Sequence, residues 1–419
     1  MEVGGILLTG DKHFKVMDQM KPTLKQFYNL MARTRSIRFQ VVENIVTNRQ
    51  ISPDWIKSLK NFLASLDGIH SENEKKILYL DDSTGNTSKK IEADLTYEIT
   101  ELEKDIFYLE NGEEAFIDYL SSLHVGFQKH VYNGLNKLTG LKFNCFITDR
   151  DGTINNYCGR YRSSVQSIYN AVFLTRFAKK KAKNPIIITS APLKDPGIVD
   201  VSVNPEKTII YAASKGREFI DLSGNRRTYP IDDKKQELID RLNQKLSVLL
   251  QKPSFEQFFL IGSGMQLKFG QTTIARQDIS RSVSEDESEE LLKRIRSLVS
   301  DIDPENKNFK IEDTGLDIEI ILTIEDSESG PKDFDKGDSV KFLDSELGLN
   351  MSEGPHLICG DTPSDIPMIE ASINQTDDTW SIFVTKDKKL AGRVTAVCPN
   401  SVIVPEPDML VTILNLMAS

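Results

Sequence analysis

The sequence predicts an α/β protein with three parts: a parallel-sheet core, an α+β domain inserted into that core, and an all-α helical domain before it. Three features of the sequence predict this architecture. Residues 1–135 repeat apolar positions at helical spacing, two later stretches alternate short apolar strands with helices, and a segment of mixed character separates those stretches. At about 150 residues per domain, a chain of 419 residues can hold such a set.

Residues 1–135 are predicted to form the N-terminal helical domain. The segment LKQFYNLMARTRSIRFQVVENIV has helical period, and Ser52 precedes Pro53 as an N-cap precedes an early proline. The long segment IEADLTYEITELEKDIFYLENGEEAFIDYL continues the helical pattern. We expect an accessory bundle, although its apolar faces could instead serve self-association or a protein partner.

Two stretches after Leu141 predict the parallel sheet. FNCFITD and NPIIITSAP are apolar strand candidates on either side of a helical segment, and HLICGD, SIFVTK and SVIVPE repeat the pattern near the end of the chain. Strands without polar alternation are typical of a parallel sheet that is covered on both faces. We therefore assign residues 136–221 and 331–419 to the two parts of the core.

Residues 222–330 are predicted to form the inserted α+β domain. The helical segments DKKQELIDRLNQKLSVLL and ESEELLKRIRSLVSDI alternate there with strand candidates such as FKIED and LDIEIILTI. The acidic segment SVSEDESEE is expected to be a solvated loop.

Composition excludes several classes of function. The net charge of −10 argues against general nucleic-acid binding and against an anionic membrane surface as a partner. No stretch approaches the ~18–20 apolar residues of a membrane span, and no basic flank precedes the short apolar run at the start, so we expect no signal peptide. The four cysteines form no CxxC pair, so neither a disulfide scaffold nor a zinc ribbon is expected. We expect a cytoplasmic protein.

Two carboxylates follow the first predicted strand of the core. Asp149 and Asp151 lie two residues apart in Asp-Arg-Asp-Gly-Thr, at the strand end where ligands of parallel sheets gather. Oxygen ligands at this spacing can share a hard cation, and Gly152 permits the tight turn that brings both inward.

Further polar residues follow in order along the chain. Thr189 ends the strand IIIT, where its hydroxyl could hold a phosphate oxygen. Lys336 begins the helical segment KGDSVKFLDSEL and could neutralise a phosphoryl group. Asp361 and Asp365 follow the strand HLICG and are suitable as a second wall of a metal site.

These four motifs, in this order, resemble those of the haloacid dehalogenase (HAD) superfamily phosphatases. Within that superfamily, FITDRDGTINNYC, TSAPLKDPGIVD, GSGMQLK, DKGDSVKFL and ICGDTPSDIPM are similar to the nematode-type trehalose-6-phosphate phosphatases, which also carry a helical N-terminal extension. The resemblance implies a HAD-like Rossmannoid core with a cap domain of the C2 type. It also implies hydrolysis of trehalose 6-phosphate, a small-molecule sugar phosphate.

The resemblance assigns roles to the motif residues. It implies that Asp149 is the nucleophile that forms an aspartyl-phosphate, and that Asp151 is the general acid and base. Mg²⁺ would be held by Asp149, Asp361 and the backbone carbonyl of Asp151, and Thr189 and Lys336 would hold phosphate oxygens. The remaining metal-site residue, which would orient the lysine or a metal-bound water, is Asp365.

The cap is expected to select the sugar. By resemblance, the residues near the cap hinge are Gly216, Arg217 and Glu218. Those that face the crevice from cap strands are Gln266, Lys268 and Glu319. A further lysine, Lys194, is expected to reach the phosphate side. Lys215 and Gln266 depart from the family pattern at sugar-facing positions, so sucrose phosphate or glucosylglycerol phosphate stays open as the substrate. The further alternatives are a non-catalytic regulatory module and a chain whose N-terminal helices are the functional part.

Overall fold

The computed structural model describes residues 21–81, 87–279, 281–326 and 330–419. The apolar run near the start of the chain, from which we expect no signal peptide, lies outside these residues. Within the described ranges, the helices are all too short or too polar to cross a membrane.

The N-terminal domain is mainly helical, as predicted, but it also contains a small sheet. Its elements are α1 (Leu24–Val46), α2 (Pro53–Asp67), β1 (Ser71–Glu72), β2 (Lys75–Asp81), β3 (Thr87–Ala93), α3 (Thr96–Leu123) and α4 (Phe127–Leu138). The antiparallel order β1-β2-β3 shows that the all-α prediction was wrong for these strands. The predicted long helix began too early, because Ile91 and Ala93 belong to β3 and α3 begins only at Thr96.

The first part of the core contains β4 (Phe143–Thr148), α5 (Ile168–Lys181), β5 (Ala182–Ile188), α6 (Ile198–Val201), β6 (Ile210–Ala213), β7 (Glu218–Ile220) and β8 (Arg226–Thr228). The strands β4, β5 and β6 pair in parallel, and β7 and β8 extend the sheet as antiparallel strands. Because β8 still belongs to this sheet, we propose that the inserted domain begins after Thr228 rather than at residue 222.

The inserted domain contains α7 (Asp233–Leu250), β9 (Met265–Lys268), β10 (Gln271–Ala275), α8 (Glu285–Ile302), β11 (Phe309–Asp313), β12 (Asp317–Leu322), β13 (Ile324–Asp326) and β14 (Gly330–Lys332). Four of its strands form an antiparallel sheet in the order β11-β12-β10-β9. The predicted acidic loop was wrong here. Ser284 and Glu287 form a capping box that starts α8, since each side chain meets the other residue's backbone N–H.

The second part of the core contains α9 (Lys336–Leu347), β15 (His356–Gly360), α10 (Ile366–Ile373), β16 (Thr379–Val384), α11 (Lys388–Val397), β17 (Ser401–Val404) and α12 (Pro407–Ala418). The complete sheet has the order β17-β16-β15-β4-β5-β6-β7-β8. Alternate residues of β4 enter separate apolar clusters: Phe146 packs on one face of the sheet, Cys145 and Ile147 on the other. The predicted α/β core with a doubly covered parallel sheet is confirmed.

Buried charges join the N-terminal domain to the core. Lys104 of α3 donates to Asp408 of α12 (Nζ to Oδ2, 2.8 Å) and to Glu101 (2.9 Å). The same aspartate accepts a hydrogen bond from the Tyr169 hydroxyl at 2.6 Å and lies 2.7 Å from Nε2 of His124. These two domains therefore share one buried polar network.

The N-terminal domain also contacts the inserted domain. The Tyr28 hydroxyl of α1 donates to the carbonyl oxygen of Leu260 at 2.7 Å. Lys89 of β3 lies 3.2 Å from both carboxylate oxygens of Glu287. The N-terminal domain thus touches both of the units between which the sequence places the substrate crevice.

Candidate active site

The site lies where three neighbouring strands end. In the sheet, Thr148 at the end of β4 is level with Ile187 of β5 and with Cys359 of β15. The residues that follow these strands include Asp149, Thr189 and Asp361, so parallel pairing brings three distant parts of the sequence to one edge. The Thr189 hydroxyl accepts a hydrogen bond from the backbone N–H of Ala191 at 3.2 Å, and its side chain faces the same crevice.

Lys336 joins two of the carboxylates. Its ammonium group donates to Asp149 Oδ1 at 2.6 Å and to Asp365 Oδ1 at 2.5 Å. It is the first residue of α9, where Asp335 caps the helix by accepting from the backbone N–H of Gly337 and Asp338. Burial lowers the pKa of Lys336, but the two carboxylates outweigh this and raise it, so the lysine is held in its charged form.

Three carboxylates lie within metal-binding distance of one another. One oxygen each from Asp149, Asp361 and Asp365 can be chosen so that all lie within 4.8 Å. Burial raises the pKa of Asp149 to about 6, against the opposing effect of Lys336. Burial and the nearby Asp149 raise the pKa of Asp361 to about 8. The pKa values of both aspartates are thus raised although Lys336 lies close by.

Asp365 serves the loop as well as the lysine. Its Oδ2 accepts hydrogen bonds from the backbone N–H of Asp361 at 3.0 Å and of Thr362 at 2.9 Å. Because its Oδ1 already faces Lys336, this buried carboxylate fixes the loop after β15 relative to the helix α9.

Thr153 and Gly152 of the Asp-Arg-Asp-Gly-Thr motif both lie against Asp361, which follows a different strand. The Thr153 hydroxyl donates to Asp361 Oδ1 at 3.0 Å and lies 3.3 Å from Asp149 Oδ2. Gly152 has φ of +87°, and a Cβ atom there would lie 2.3 Å from Asp361 Oδ2. A side chain at this position would therefore displace the aspartate. The motif could have singled out Thr153 in the sequence, but it could not have shown that Thr153 bonds to Asp361, which is 208 residues away.

Residues of the inserted domain line the same crevice as these groups. A cavity of about 320 Å³ is lined by residues of the core and of the cap: Asp149, Asp151, Thr189, Lys336, Asp361, Gln266, Lys268 and Glu319. Burial lowers the pKa of Lys268, with Glu319 acting in the opposite direction. Ser263 and Asp317 also line this cavity and are hydrogen-bonded to each other, although the sequence did not single them out.

Four other predicted site residues, the three expected near the cap hinge and Lys194, are not among the residues that line this cavity. The guanidinium of Arg217 donates to the carbonyl oxygens of Gly270 (2.7 Å) and Leu322 (3.2 Å), which ties the hinge to the cap sheet. Glu218 bonds to Ser214 and Arg226, and Gly216 packs against Ser339. Lys194 and Glu218 line a second cavity of about 290 Å³, to which Lys268 also contributes.

Comparison with known protein families fits this arrangement. The model of the trehalose-6-phosphate phosphatase C-terminal region matches residues 146–410, which include every strand-end carboxylate described above. The chain belongs to the trehalose-6-phosphate phosphatase family. The model of the N-terminal helical bundle domain of trehalose-6-phosphate phosphatases matches residues 23–125. The family predicted from the sequence motifs is thereby confirmed.

Nematode proteins are among the similar chains. UDP-forming alpha,alpha-trehalose-phosphate synthase 2 of Aphelenchoides avenae is 32% identical over 425 residues, which cover 96% of this chain and 32% of the relative. The synthase 2 of Caenorhabditis elegans is 32% identical over 90% of this chain and 31% of its own length. The trehalose-phosphatase of Brugia malayi is 28% identical over 90% of this chain and 81% of its own length. This trehalose-6-phosphate phosphatase family member thus spans about a third of the first two relatives.

Proposed function

We propose that this chain hydrolyses trehalose 6-phosphate to trehalose and phosphate through an aspartyl-phosphate intermediate. The observation that carries the proposal is the position of Lys336, which lies between Asp149 and Asp365 at the edge of the sheet and on the wall of a cavity that core and cap residues line together. Family membership and the similarity to a protein named trehalose-phosphatase support the reaction and the substrate.

The carboxylate cluster is suitable for Mg²⁺. Asp149 and Asp361 offer hard oxygen donors in a buried setting that raises the pKa of both groups, so a divalent cation would offset their repulsion. When bound, the ion would neutralise charge between the anionic nucleophile and the anionic substrate. Asp151 would contribute its backbone carbonyl, and Asp365 would act by orienting Lys336.

The first half-reaction forms the aspartyl-phosphate. A carboxylate oxygen of Asp149 attacks phosphorus while the bond between phosphorus and the sugar oxygen breaks. Asp151 gives its proton to that sugar oxygen, and the neutral sugar leaves. Lys336 keeps Asp149 ionised before the attack, and with Thr189 it stabilises the phosphoryl oxygens as charge moves onto them.

The second half-reaction restores the enzyme. Water attacks phosphorus, the bond between phosphorus and Asp149 breaks, and phosphate leaves. Asp151, now ionised, takes a proton from the water, so it returns to the state in which it began.

Substrate panels test this proposal directly. We expect phosphate release from trehalose 6-phosphate that requires Mg²⁺, stops with chelator and exceeds release from other hexose and disaccharide phosphates. Release mainly from sucrose phosphate or glucosylglycerol phosphate would keep the chemistry and replace the sugar. If no ester in the panel released phosphate in the presence of Mg²⁺, the enzymatic role would be refuted and a regulatory role would be favoured.

Lys268 is expected to bind the sugar. Replacing it with alanine removes a buried charged donor from the cavity, so KM for trehalose 6-phosphate should rise about tenfold or more. Turnover of a small ester such as 4-nitrophenyl phosphate should change little. The matched control is Lys310→Ala, which removes an exposed lysine from another strand of the same sheet. Equal losses on both esters would contradict a sugar-binding role.

A further inference from the structure

The proposed general acid and base is held by two neighbours. Asp151 lines the catalytic cavity, and its Oδ1 accepts hydrogen bonds from the Arg150 guanidinium and from the Ser164 hydroxyl, the latter at 3.1 Å. Arg150 also donates to the Ser164 hydroxyl at 2.8 Å. Among the described residues, Oδ1 carries all the hydrogen bonds of this carboxyl group, so Oδ2 is the oxygen that remains for the sugar or the water.

Asn155 connects this pair to the next layer. Its side-chain amide lies 3.4 Å from the Ser164 hydroxyl, and its backbone carbonyl accepts from the N–H of Gly152 at 2.8 Å. Asp151 and Asn155 also form an isolated β-bridge. The backbone of Asn155 therefore closes the turn that carries the general acid, and its side chain lies against Ser164, which holds Asp151.

The partner of Asn155 comes from the N-terminal domain. Tyr97, in the first turn of α3, accepts from the amide of Asn155 at 3.0 Å, and its hydroxyl lies within donating distance of two acceptors. These are Asn155 Oδ1 at 3.2 Å and the carbonyl oxygen of Val165 at 3.0 Å. Asn155 is almost fully buried, and its Nδ2 also donates to the carbonyl oxygen of Asn156 at 3.0 Å. Loss of the phenolic hydroxyl would therefore chiefly remove the donor to Asn155 Oδ1.

We propose that Tyr97 is a positioning residue for catalysis, which acts through Asn155 and Ser164 to fix the orientation of Asp151. This inference rests on the proposed phosphatase reaction, and it assigns the N-terminal domain a part in that reaction. A bundle that only covered the core would contribute packing surface. Here it contributes a hydroxyl group to the network around the acid and base.

Tyr97→Phe tests the inference because it removes one oxygen and keeps the ring. We expect kcat for trehalose 6-phosphate to fall about fivefold to tenfold, the value of one lost hydrogen bond, with KM unchanged. Single-turnover release of 4-nitrophenolate from 4-nitrophenyl phosphate should keep its wild-type rate, because that leaving group needs no proton. The matched control is Tyr108→Phe, which changes another tyrosine of α3, one buried against aromatic rings, and should leave both rates unchanged.

A second background separates positioning from general stabilisation. If Tyr97 acts through Asp151, then adding Tyr97→Phe to Asp151→Asn should cause no further loss in single-turnover hydrolysis of trehalose 6-phosphate. A full additional loss in that background would overturn the inference, as would an unchanged kcat for Tyr97→Phe alone. If Tyr97→Phe folds poorly, Ser164→Ala replaces it, because that variant removes the hydroxyl between Asn155 and Asp151. It should likewise lower the rate on trehalose 6-phosphate and leave the single-turnover release of 4-nitrophenolate unchanged.

The wild-type rates distinguish this inference from the proposed function. A wild-type protein that leaves trehalose 6-phosphate intact but turns over 4-nitrophenyl phosphate would refute only the substrate. In that case the steady-state rate on 4-nitrophenyl phosphate would be compared between the wild type and Tyr97→Phe, because that rate depends on Asp151 in the second half-reaction. A wild-type protein inactive on both esters would overturn both proposals.

Discussion

Asp149→Asn should lower the turnover of trehalose 6-phosphate by about a thousandfold or more, because the amide cannot attack phosphorus as a carboxylate does. The fold should survive the change. Lys336 keeps its second partner, Asp365, at 2.5 Å, and the substitution removes one of the crowded buried charges that raise the pKa of Asp361. Phosphate release and the melting temperature, measured on the same preparation, check both expectations.

Asp335→Asn is the matched control for this variant. Asp335 lies directly before Lys336 and caps α9, and asparagine is an equally good N-cap residue. This variant should keep wild-type turnover. Near-normal activity in Asp149→Asn would refute the assignment of the nucleophile, and a large loss in Asp335→Asn would show that the site is sensitive to any change at the start of α9.

Asp408→Asn is expected to give the largest loss of stability, about 3 kcal/mol in the free energy of unfolding. The substitution leaves the buried Lys104 with Glu101 as its single carboxylate partner, and it weakens the bonds to His124 and Tyr169. Urea unfolding, followed by tryptophan fluorescence, measures the change. Asp387→Asn is the control, since it alters an exposed carboxylate that caps α11 and should cost little.

The pH dependence gives a second check on this pair. Burial alone would raise the pKa of Asp408, but Lys104 and His124 outweigh burial and hold the pKa below its usual value. A carboxyl group whose folded-state pKa is depressed stabilises the protein above its unfolded pKa of about 4, and this contribution is lost as the pH falls. The difference in stability between the wild type and Asp408→Asn should therefore shrink on acidification. A constant difference from neutral to acidic pH would contradict the ion pair.

The core could be predicted from the sequence because its strands are apolar runs. FNCFIT and HLICG have few polar positions, and burial on both faces of a parallel sheet requires that pattern. The strands β2 (KKILYLD) and β3 (TSKKIEA) were missed because each combines two adjacent lysines with a few apolar residues, and over seven residues such a mixture does not distinguish a strand from an amphipathic helix. What defines these two segments as strands is that they pair with each other, and such pairing cannot be read from either segment alone.

The same distinction applies to the candidate site. Asp149 and Lys336 lie 187 residues apart, but each follows or begins a recognisable element, so motif order was enough to bring them together. Tyr97 lies in no such motif, and its contact with Asn155 depends on how α3 packs against the loop after β4. Arg217 was expected near the cap hinge, but spacing alone does not reveal that its guanidinium donates to carbonyl oxygens of the cap sheet.

The contact between Lys104 and Asp408 joins residues 304 positions apart, and this separation constrains the order in which the chain can mature. During synthesis α3 leaves the ribosome while the helix that carries its carboxylate partner has not yet been made. Until then Lys104 has only Glu101 of its own helix as a carboxylate partner, and its burial without Asp408 would cost about 3 kcal/mol. The N-terminal helical domain, although translated before the core, therefore finishes packing only after α12 has been made.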